Sequence, residues 1–206
     1  MTKKLTLILA FLFTLQGFSQ KEYLGDGPHS QLIIRGVMLI NGDGSPPRGP
    51  MDIVVENNKI VAMQIVGYPG VKINEKGRPK LKRGGKELDA NGMYLLPGFI
   101  DMHGHIGGNA QGANPDYVFK LWMAHGITTV RQPSGRNAIG LKKQSAENKI
   151  VAPRIFEYTG FGSGSKKPIT TPDEARAWVR MNAKNGADGI KFFGAEPEIM
   201  DAAIKE

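Results

Sequence analysis

Two kinds of apolar pattern divide the chain after its first thirty residues. Over residues 31–96, short β-branched runs are separated by turn residues such as Asn57-Asn58, a pattern that predicts strands joined by tight turns. From Pro97 onward, short β-branched runs alternate with segments that carry helix start and stop signals. We therefore predict a small all-β unit over 31–96 and alternating strands and helices over 97–206.

In the first unit, the apolar runs and turns predict five strands. The expected strands are 31–40, 51–56, 60–66, 87–90 and 93–96. We expect the second and third of them to form a hairpin about Asn57-Asn58. The last two lie on either side of the turn Asn91-Gly92.

In the second unit, four strands are each followed by a helix. The expected strands are 99–103, 127–131, 154–158 and 190–193, and the expected helices are 114–125, 139–148, 171–186 and 197–206. Alternation of this kind implies a parallel sheet with helical crossovers. Four units could form an open sheet or half of an eight-unit barrel, and 206 residues are too few for a complete barrel domain of about 250.

The first twenty residues have the features of a signal peptide. Lys3 and Lys4 precede an apolar run over 5–15, and Gly17 and Ser19 place small residues at the two positions that a signal peptidase reads. The run is shorter than the roughly 20 residues that span a bilayer. We predict a signal peptide over 1–19, cleaved after Ser19 or one residue later, and hence a periplasmic or secreted protein without a stable membrane anchor.

Composition narrows the chemistry further. The chain is 40% hydrophobic and 22% charged, which is ordinary for a globular protein, and it has no cysteine. Thiolate metal ligands, a thiol nucleophile and disulfides are therefore excluded. The formal charge is +8, with much of the excess over 72–86. Glycine and proline interrupt that run and no aromatic residue is interleaved, so we expect a solvated hairpin loop and no nucleic-acid partner.

His103 and His105 are the clearest candidates for chemistry. They lie two residues apart at the expected end of the first parallel strand, where the strand period of two places both rings on one face and Gly104 leaves space between them. Two converging imidazoles suit a zinc-like ion. The alternative is a pair of surface loop histidines. Their position at the carboxyl end of a strand, where βα folds build their sites, favours the interpretation as a metal site.

Two other residues, Lys191 and Asp101, each leave two interpretations open. Lys191, at the end of the fourth strand, is either a buried amine able to form a carbamate that bridges two metals or a strand lysine paired with an acid. Asp101 either orients a ligand histidine or caps the strand. His125 is expected to close a helix before Gly126, and His29 has no evident partner.

Together these stretches resemble the amidohydrolase superfamily, and within it the imidazolonepropionase and prolidase-like enzymes. Residues 37–47 and 52–62 resemble the N-terminal β-sandwich of that family. Residues 88–105, which end in PGFIDMHGH, resemble the passage from the sandwich into the barrel. Residues 126–131, GITTVR, resemble the second barrel strand. The resemblance covers nearly all of residues 31–200.

The resemblance implies an α/β fold: a β-sandwich over 31–96, then the first half of a (β/α)8 TIM barrel over 97–206, about four of eight units. It implies that His103, His105 and a carbamylated Lys191 bind one or two zinc ions, with Asp101 beside them. A metal-bound water would then hydrolyse a carbon–nitrogen bond in a small amide, such as a dipeptide, peptide-like or cyclic amide.

The chain also departs from the family. Gln132-Pro133 stands where relatives often have an aspartate after the second-strand arginine. The two further histidines from strands five and six, and the strand-eight aspartate that accepts the proton, have no counterpart, since no histidine follows His125. We therefore expect a fragment or truncated product and assign no catalytic acid or base. The oligomeric state is not indicated.

Other functions remain open at this stage. Within the same superfamily, the chain could belong to a deaminase or a deacetylase. It could also be a catalytically inactive half-barrel, or a basic binding module, which the lack of interleaved aromatic residues disfavours. Metal content separates the enzymes from the last two.

Overall fold

The computed structural model describes residues 26–106, 114–133 and 138–206, so the predicted signal peptide lies outside the described part. Within these ranges the chain forms two sheets and four helices. The strands are β1 (Gln31–Leu39), β2 (Arg48–Glu56), β3 (Lys59–Ile65), β4 (Lys86–Asp89), β5 (Tyr94–Leu95), β6 (Phe99–Asp101), β7 (Ile127–Pro133), β8 (Arg154–Gly160) and β9 (Gly189–Lys191). The helices are α1 (Pro115–Ala124), α2 (Ala138–Ala146), α3 (Pro172–Lys184) and α4 (Pro197–Lys205).

The first sheet is mixed and contains β1 to β5. Its order is β3-β2-β1-β4, and β5 also pairs with β1. β1 and β2 are antiparallel, as are β2 and β3. The hairpin between β2 and β3 turns at Asn57 and Asn58, whose φ angles of 47° and 63° are those that a tight hairpin turn requires. This hairpin is the one that the sequence predicted.

β4 and β5 are present but do not pair with each other. Both run parallel to β1, β4 beside its first half and β5 beside its end. The chain therefore runs in the same direction before and after the turn at Asn91-Gly92. A Cβ atom on Gly36, at the irregularity of β1, would lie 1.9 Å from Oδ1 of Asn91, so this packing requires glycine.

A buried ion network joins this sheet to the basic segment 72–86. Asp52 is fully buried, and its carboxylate accepts hydrogen bonds from Arg35 (2.9 Å), the Gly36 amide (3.0 Å) and Arg78 (2.8 Å). Burial alone would raise the pKa of Asp52, but the hydrogen bonds from Arg78 and Arg35 outweigh it and hold that pKa below its usual range. The expectation of a merely solvated loop was therefore wrong for Arg78.

The second sheet is parallel, in the order β6-β7-β8-β9, with one helix between each pair of strands. This arrangement confirms the alternation predicted from the sequence. The helix starts follow from local capping. The Asn114 side chain accepts from the Asp116 amide at the start of α1, and Thr171 forms a reciprocal capping box with Glu174 at the start of α3.

Helices cover one face of the parallel sheet. Its core is formed by the buried residues Ile106, Phe119, Val130, Ala138 and Ile155, and a second cluster joins α3 to α4 through Ala175, Ile199, Ala202 and Ala203. Side chains alternate along a strand, so the neighbours Arg131 and Phe156 lie on the other face. Phe156 is 41% exposed, which marks that face as open.

Two strands are shorter than expected. β6 ends at Asp101 instead of continuing to His103, because the Asp101 carboxylate accepts from the His103 amide (2.9 Å) and bends the chain into a turn. β9 ends at Lys191, after which Phe192 packs into the core of α3 and α4. None of the helices in the described ranges is long and apolar enough to cross a membrane.

Candidate metal centre

His103 and His105 lie side by side immediately after β6. Their ring centroids are 5.4 Å apart and the ring planes are inclined by 71°. Both residues are exposed to solvent. The expected reason for their proximity was wrong, since the backbone here is a turn and the strand period does not apply. The turn of residues Met102–Ile106, which we call the histidine turn, brings the rings together.

Gly104 fixes where the histidine turn lies. A Cβ atom at this position would meet Val130 Cγ2 at 2.4 Å and the Trp122 ring at 2.9 Å, far inside normal contact distances. Its amide also donates to the Arg131 carbonyl (3.2 Å). We expected Gly104 to leave space between the two rings. Instead, its missing side chain lets the backbone pack directly on β7.

Asp101 contacts the backbone of the histidine turn. Its Oδ1 accepts from the His103 amide, and this bond ends the strand. The contact corresponds to the capping interpretation of Asp101, since it involves the backbone and not a histidine ring.

Arg131 and Gln132, which the sequence analysis did not select, hold the histidine turn from β7. Arg131 Nε donates to the Met102 carbonyl (2.7 Å), and its guanidinium carbon lies 5.0 Å from the centre of the Tyr158 ring. Gln132 is buried, and its Oε1 accepts from the Ile106 amide (3.0 Å). The sequence did carry a signal for both: they lie at the carboxyl end of the second parallel strand, and Gln132 is part of the departure from the family pattern.

Lys191 is the last residue of β9, at the expected end of the fourth parallel strand. It is half-buried, and its carbonyl accepts from the Phe161 amide (2.8 Å). Its ammonium lies 5.4 Å from the centre of the Phe193 ring. Within the described part of the chain, no carboxylate lies within ion-pair distance of it. The alternative of a lysine paired with an acid therefore has no support among these residues.

The other two histidines have local roles. His125 caps α1, with its backbone amide donating to the Leu121 and Trp122 carbonyls and its Nδ1 2.8 Å from the Leu121 carbonyl, so the structural interpretation is confirmed. His29 does have a neighbour, contrary to expectation. Its Nε2 lies 3.5 Å from Oδ1 of Asp26.

The histidine pair fits a zinc ion in donor type and spacing. Two imidazoles on one tetrahedral zinc, with Zn–N of about 2.0–2.1 Å, have centroids about 5 Å apart, close to the observed 5.4 Å. Over residues 26–106, 114–133 and 138–206, no group of three or more His, Asp or Glu residues is assembled that could hold a metal. The described chain thus presents two histidines together after β6, and Lys191 at the end of β9.

Comparison with known proteins finds several enzymes that are similar to parts of this chain. No family model matches it. It is 35% identical over 162 residues to an N-acyl-D-aspartate deacylase from Alcaligenes xylosoxydans xylosoxydans, covering 75% of this chain and 28% of that protein. It is 31% identical to an imidazolonepropionase from Streptomyces coelicolor, covering 55% of this chain and 30% of the relative. The chain thus spans less than a third of the length of these relatives.

Solved structures are similar to this chain in fold. A Xaa-Pro dipeptidase crystal structure with bound methionine is 25% identical, with a TM-score of 0.55 over 85% of this chain and 53% of that one. An amidohydrolase crystal structure has a TM-score of 0.64 at 18% identity, again over 85% and 53% of the two chains, which is a likeness of fold.

A parallel βα sheet with paired imidazoles at its carboxyl edge defines an α/β protein of the kind that builds its site from strand ends. The chain belongs to the amidohydrolase superfamily, and its relatives are enzymes. The architecture of the neighbours implies a TIM-barrel fold.

Proposed function

We propose that this chain supplies the first part of a metal-dependent amidohydrolase site. In this proposal the four strand–helix units of residues 97–206 are the first half of a (β/α)8 barrel, and the mixed sheet of residues 31–96 is one layer of a β-sandwich. The observation that carries the proposal is the contact of His103 with His105 at the carboxyl end of β6.

The two imidazoles would hold one divalent ion, for which zinc is the best match to paired nitrogen donors. Lys191 would complete the site as a carbamate. Its neutral amine nitrogen bonds to the carbon of carbon dioxide and releases a proton, which turns a cationic side chain into an anionic oxygen ligand. A bound metal supplies Lewis acidity, which makes water a nucleophile at neutral pH and polarises a carbonyl oxygen.

The reaction we propose is hydrolysis of a carbon–nitrogen bond in a small amide. The support is the naming of the relatives as a deacylase, an imidazolonepropionase and an N-acetylglucosamine-6-phosphate deacetylase, and of a solved neighbour as a Xaa-Pro dipeptidase. Dipeptides, N-acyl amino acids and cyclic amides all present such a bond. Deamination is the second candidate, since one relative is named an adenine deaminase.

Export is a further part of the proposal. It rests on the basic start, apolar run and small residues over 1–19. An exported amidohydrolase would act on small amides outside the cytoplasm.

Zinc binding by the purified chain tests the site. We expect isothermal titration to show weak binding by the wild type and none by His103→Ala or His105→Ala. His125→Ala is the matched control, because it removes a histidine that only caps a helix. If the wild type binds no more zinc than His103→Ala, then the two rings form only an edge-to-face contact, whose usual separation includes 5.4 Å, and the metal site is refuted.

A further inference from the structure

We propose that Arg131 and Gln132 are positioning residues that set the geometry of the metal-binding histidines by gripping the histidine turn at both ends. The inference rests on the proposed metal site, because it assigns these two residues a role in presenting His103 and His105. Neither residue would touch the metal. They act on the backbone that carries the two imidazoles.

The grip consists of three hydrogen bonds from β7, spaced along the histidine turn. Arg131 Nε donates to the Met102 carbonyl at the start of the turn (2.7 Å). The Arg131 carbonyl accepts from the Gly104 amide in the middle (3.2 Å). Gln132 Oε1 accepts from the Ile106 amide at the end (3.0 Å). Each histidine therefore lies between two fixed backbone points.

Burial makes the Gln132 bond costly to lose. Gln132 is 2% exposed and Ile106 is also 2% exposed, so water cannot replace the amide oxygen if it is removed. A buried N–H left without an acceptor pays its full desolvation cost. The Ile106 amide should therefore move toward another acceptor when Gln132 is replaced by an apolar residue, and His105 would move with it.

Stacking holds the Arg131 side chain in place. Its guanidinium lies over the Tyr158 ring, and this ring is itself packed on the backbone of β9, where a Cβ atom on Gly189 would lie 2.5 Å from the ring. The donor to Met102 is thus preorganised by two neighbouring strands. A lysine at position 131 would keep the charge but lose the planar donor and the stacking.

The neighbour of Gln132 explains why a neutral acceptor is suited to this position. Its register partner on β8 is Glu157, which is also 2% exposed. An aspartate or glutamate at position 132 would add a charge at this buried position, beside a second carboxyl group, and burying a charge is costly. The amide oxygen of glutamine accepts the Ile106 hydrogen bond without adding that charge.

The test combines amide hydrogen exchange with zinc titration on the complete chain. The variants are Gln132→Leu and Arg131→Met, with Arg131→Lys as the conservative replacement. The matched controls are Gln144→Leu, on an exposed position of α2, and Arg154→Met, at the opposite end of the sheet. Arg131 is accessible enough for its replacement to fold even if Gln132→Leu does not.

We expect Gln132→Leu to speed exchange of the Ile106 amide at least tenfold. We also expect both loss variants to raise the zinc Kd by about 10- to 100-fold, as replacement of residues that orient metal ligands commonly does. Arg131→Lys should recover part of the loss, and both controls should match the wild type. If Arg131 had only a structural role, its replacement would lower stability, and Arg131→Lys would not partly recover the zinc affinity.

The two readouts separate this inference from the proposed function. If the wild type binds no zinc, the metal site fails, and exchange alone then decides whether the grip exists. If folded Gln132→Leu keeps wild-type exchange at Ile106, or if folded Arg131→Met and Gln132→Leu bind zinc as the wild type does, the inference is overturned.

Discussion

Replacing Gly104 with alanine adds one methyl group where the histidine turn crosses β7. The φ angle of Gly104 lies outside the left-handed region, so the alanine backbone itself is unstrained. The new Cβ atom would lie 2.4 Å from Val130 Cγ2, 2.9 Å from the Trp122 ring and 3.0 Å from Asp101 Oδ2. The cost of the substitution is therefore steric.

The size of that cost depends on whether the neighbouring side chains can move away from the new methyl group. Carbon atoms in contact are normally about 3.5–4.0 Å apart, so the overlap with Val130 exceeds about 1 Å. Val130 is fully buried in the core beneath the helices and cannot swing into solvent. Overpacking of this kind costs about 1–3 kcal/mol. In a chain of this size, each 1 kcal/mol lowers Tm by about 2–4 °C.

Urea unfolding and zinc titration of Gly104→Ala measure the two consequences. We expect a loss of about 1–3 kcal/mol in the free energy of unfolding, together with a weaker zinc affinity, because relief of the overlap lifts the histidine turn off β7. Gly140→Ala is the control. Gly140 lies in α2 with nothing within 4 Å of its would-be Cβ, so this variant should gain about 0.5–1 kcal/mol. Equal stability of the two variants would refute the packing argument.

Three further outcomes are expected. Asp52→Asn should cost about 1–3 kcal/mol in urea unfolding, because it removes the buried anion shared by Arg35 and Arg78 and leaves them only Glu87 and Glu75. Since the folded pKa of Asp52 is lowered, its stabilisation is full above the unfolded pKa of about 3.9 and is lost as pH falls below it, so acid titration of the Asn variant should show a shallower loss. We expect a hydrophobic dye to bind, and aggregation to occur, at the open face of the second sheet and at the exposed apolar residues of β3, which are Ile60, Val61, Met63 and Ile65. A monomer that binds no dye and unfolds sharply would contradict this. N-terminal sequencing of the exported protein should begin near residue 20, and an intact Met1 would argue against a signal peptide.

Structural features that depend on neighbouring residues in the sequence could be predicted, whereas features that depend on contacts between distant residues could not. Asn114 before Pro115 and Thr171 before Glu174 mark helix starts because a cap and its partner lie within one turn. The parallel pairing of β4 and β5 with β1 has no such local signal, because the partners lie more than fifty residues apart.

The candidate site divides in the same way. His103, His105 and Lys191 are visible as residue types at strand ends. The grip by Arg131 and Gln132 depends on side chains reaching 29 and 26 residues back along the chain. The strand end at Asp101 was placed two residues too late for another reason, although capping was one of the two interpretations of this residue. A β-branched and aromatic run predicts a strand but does not reveal the carboxylate that ends it.

Sheet order limits how Lys191 and the histidines can share a metal. β6 and β9 are separated by two strands, hence by three spacings of about 4.8 Å, or about 14 Å measured along the sheet. Two metals about 3.5–4 Å apart do not bridge that distance in a flat sheet. A site that includes Lys191 therefore needs the sheet to curl so that the ends of β6 and β9 face each other across an interior, as in a closed barrel.

The histidine pair has no such requirement, because both rings come from one turn. Zinc binding by His103 and His105 can thus exist without barrel curvature, whereas a bridging carbamate cannot. If Lys191→Ala leaves the zinc Kd unchanged while His103→Ala abolishes binding, the site in this chain holds a single metal on the histidine turn. If both variants lose zinc, the sheet is curved enough to bring its fourth strand to its first.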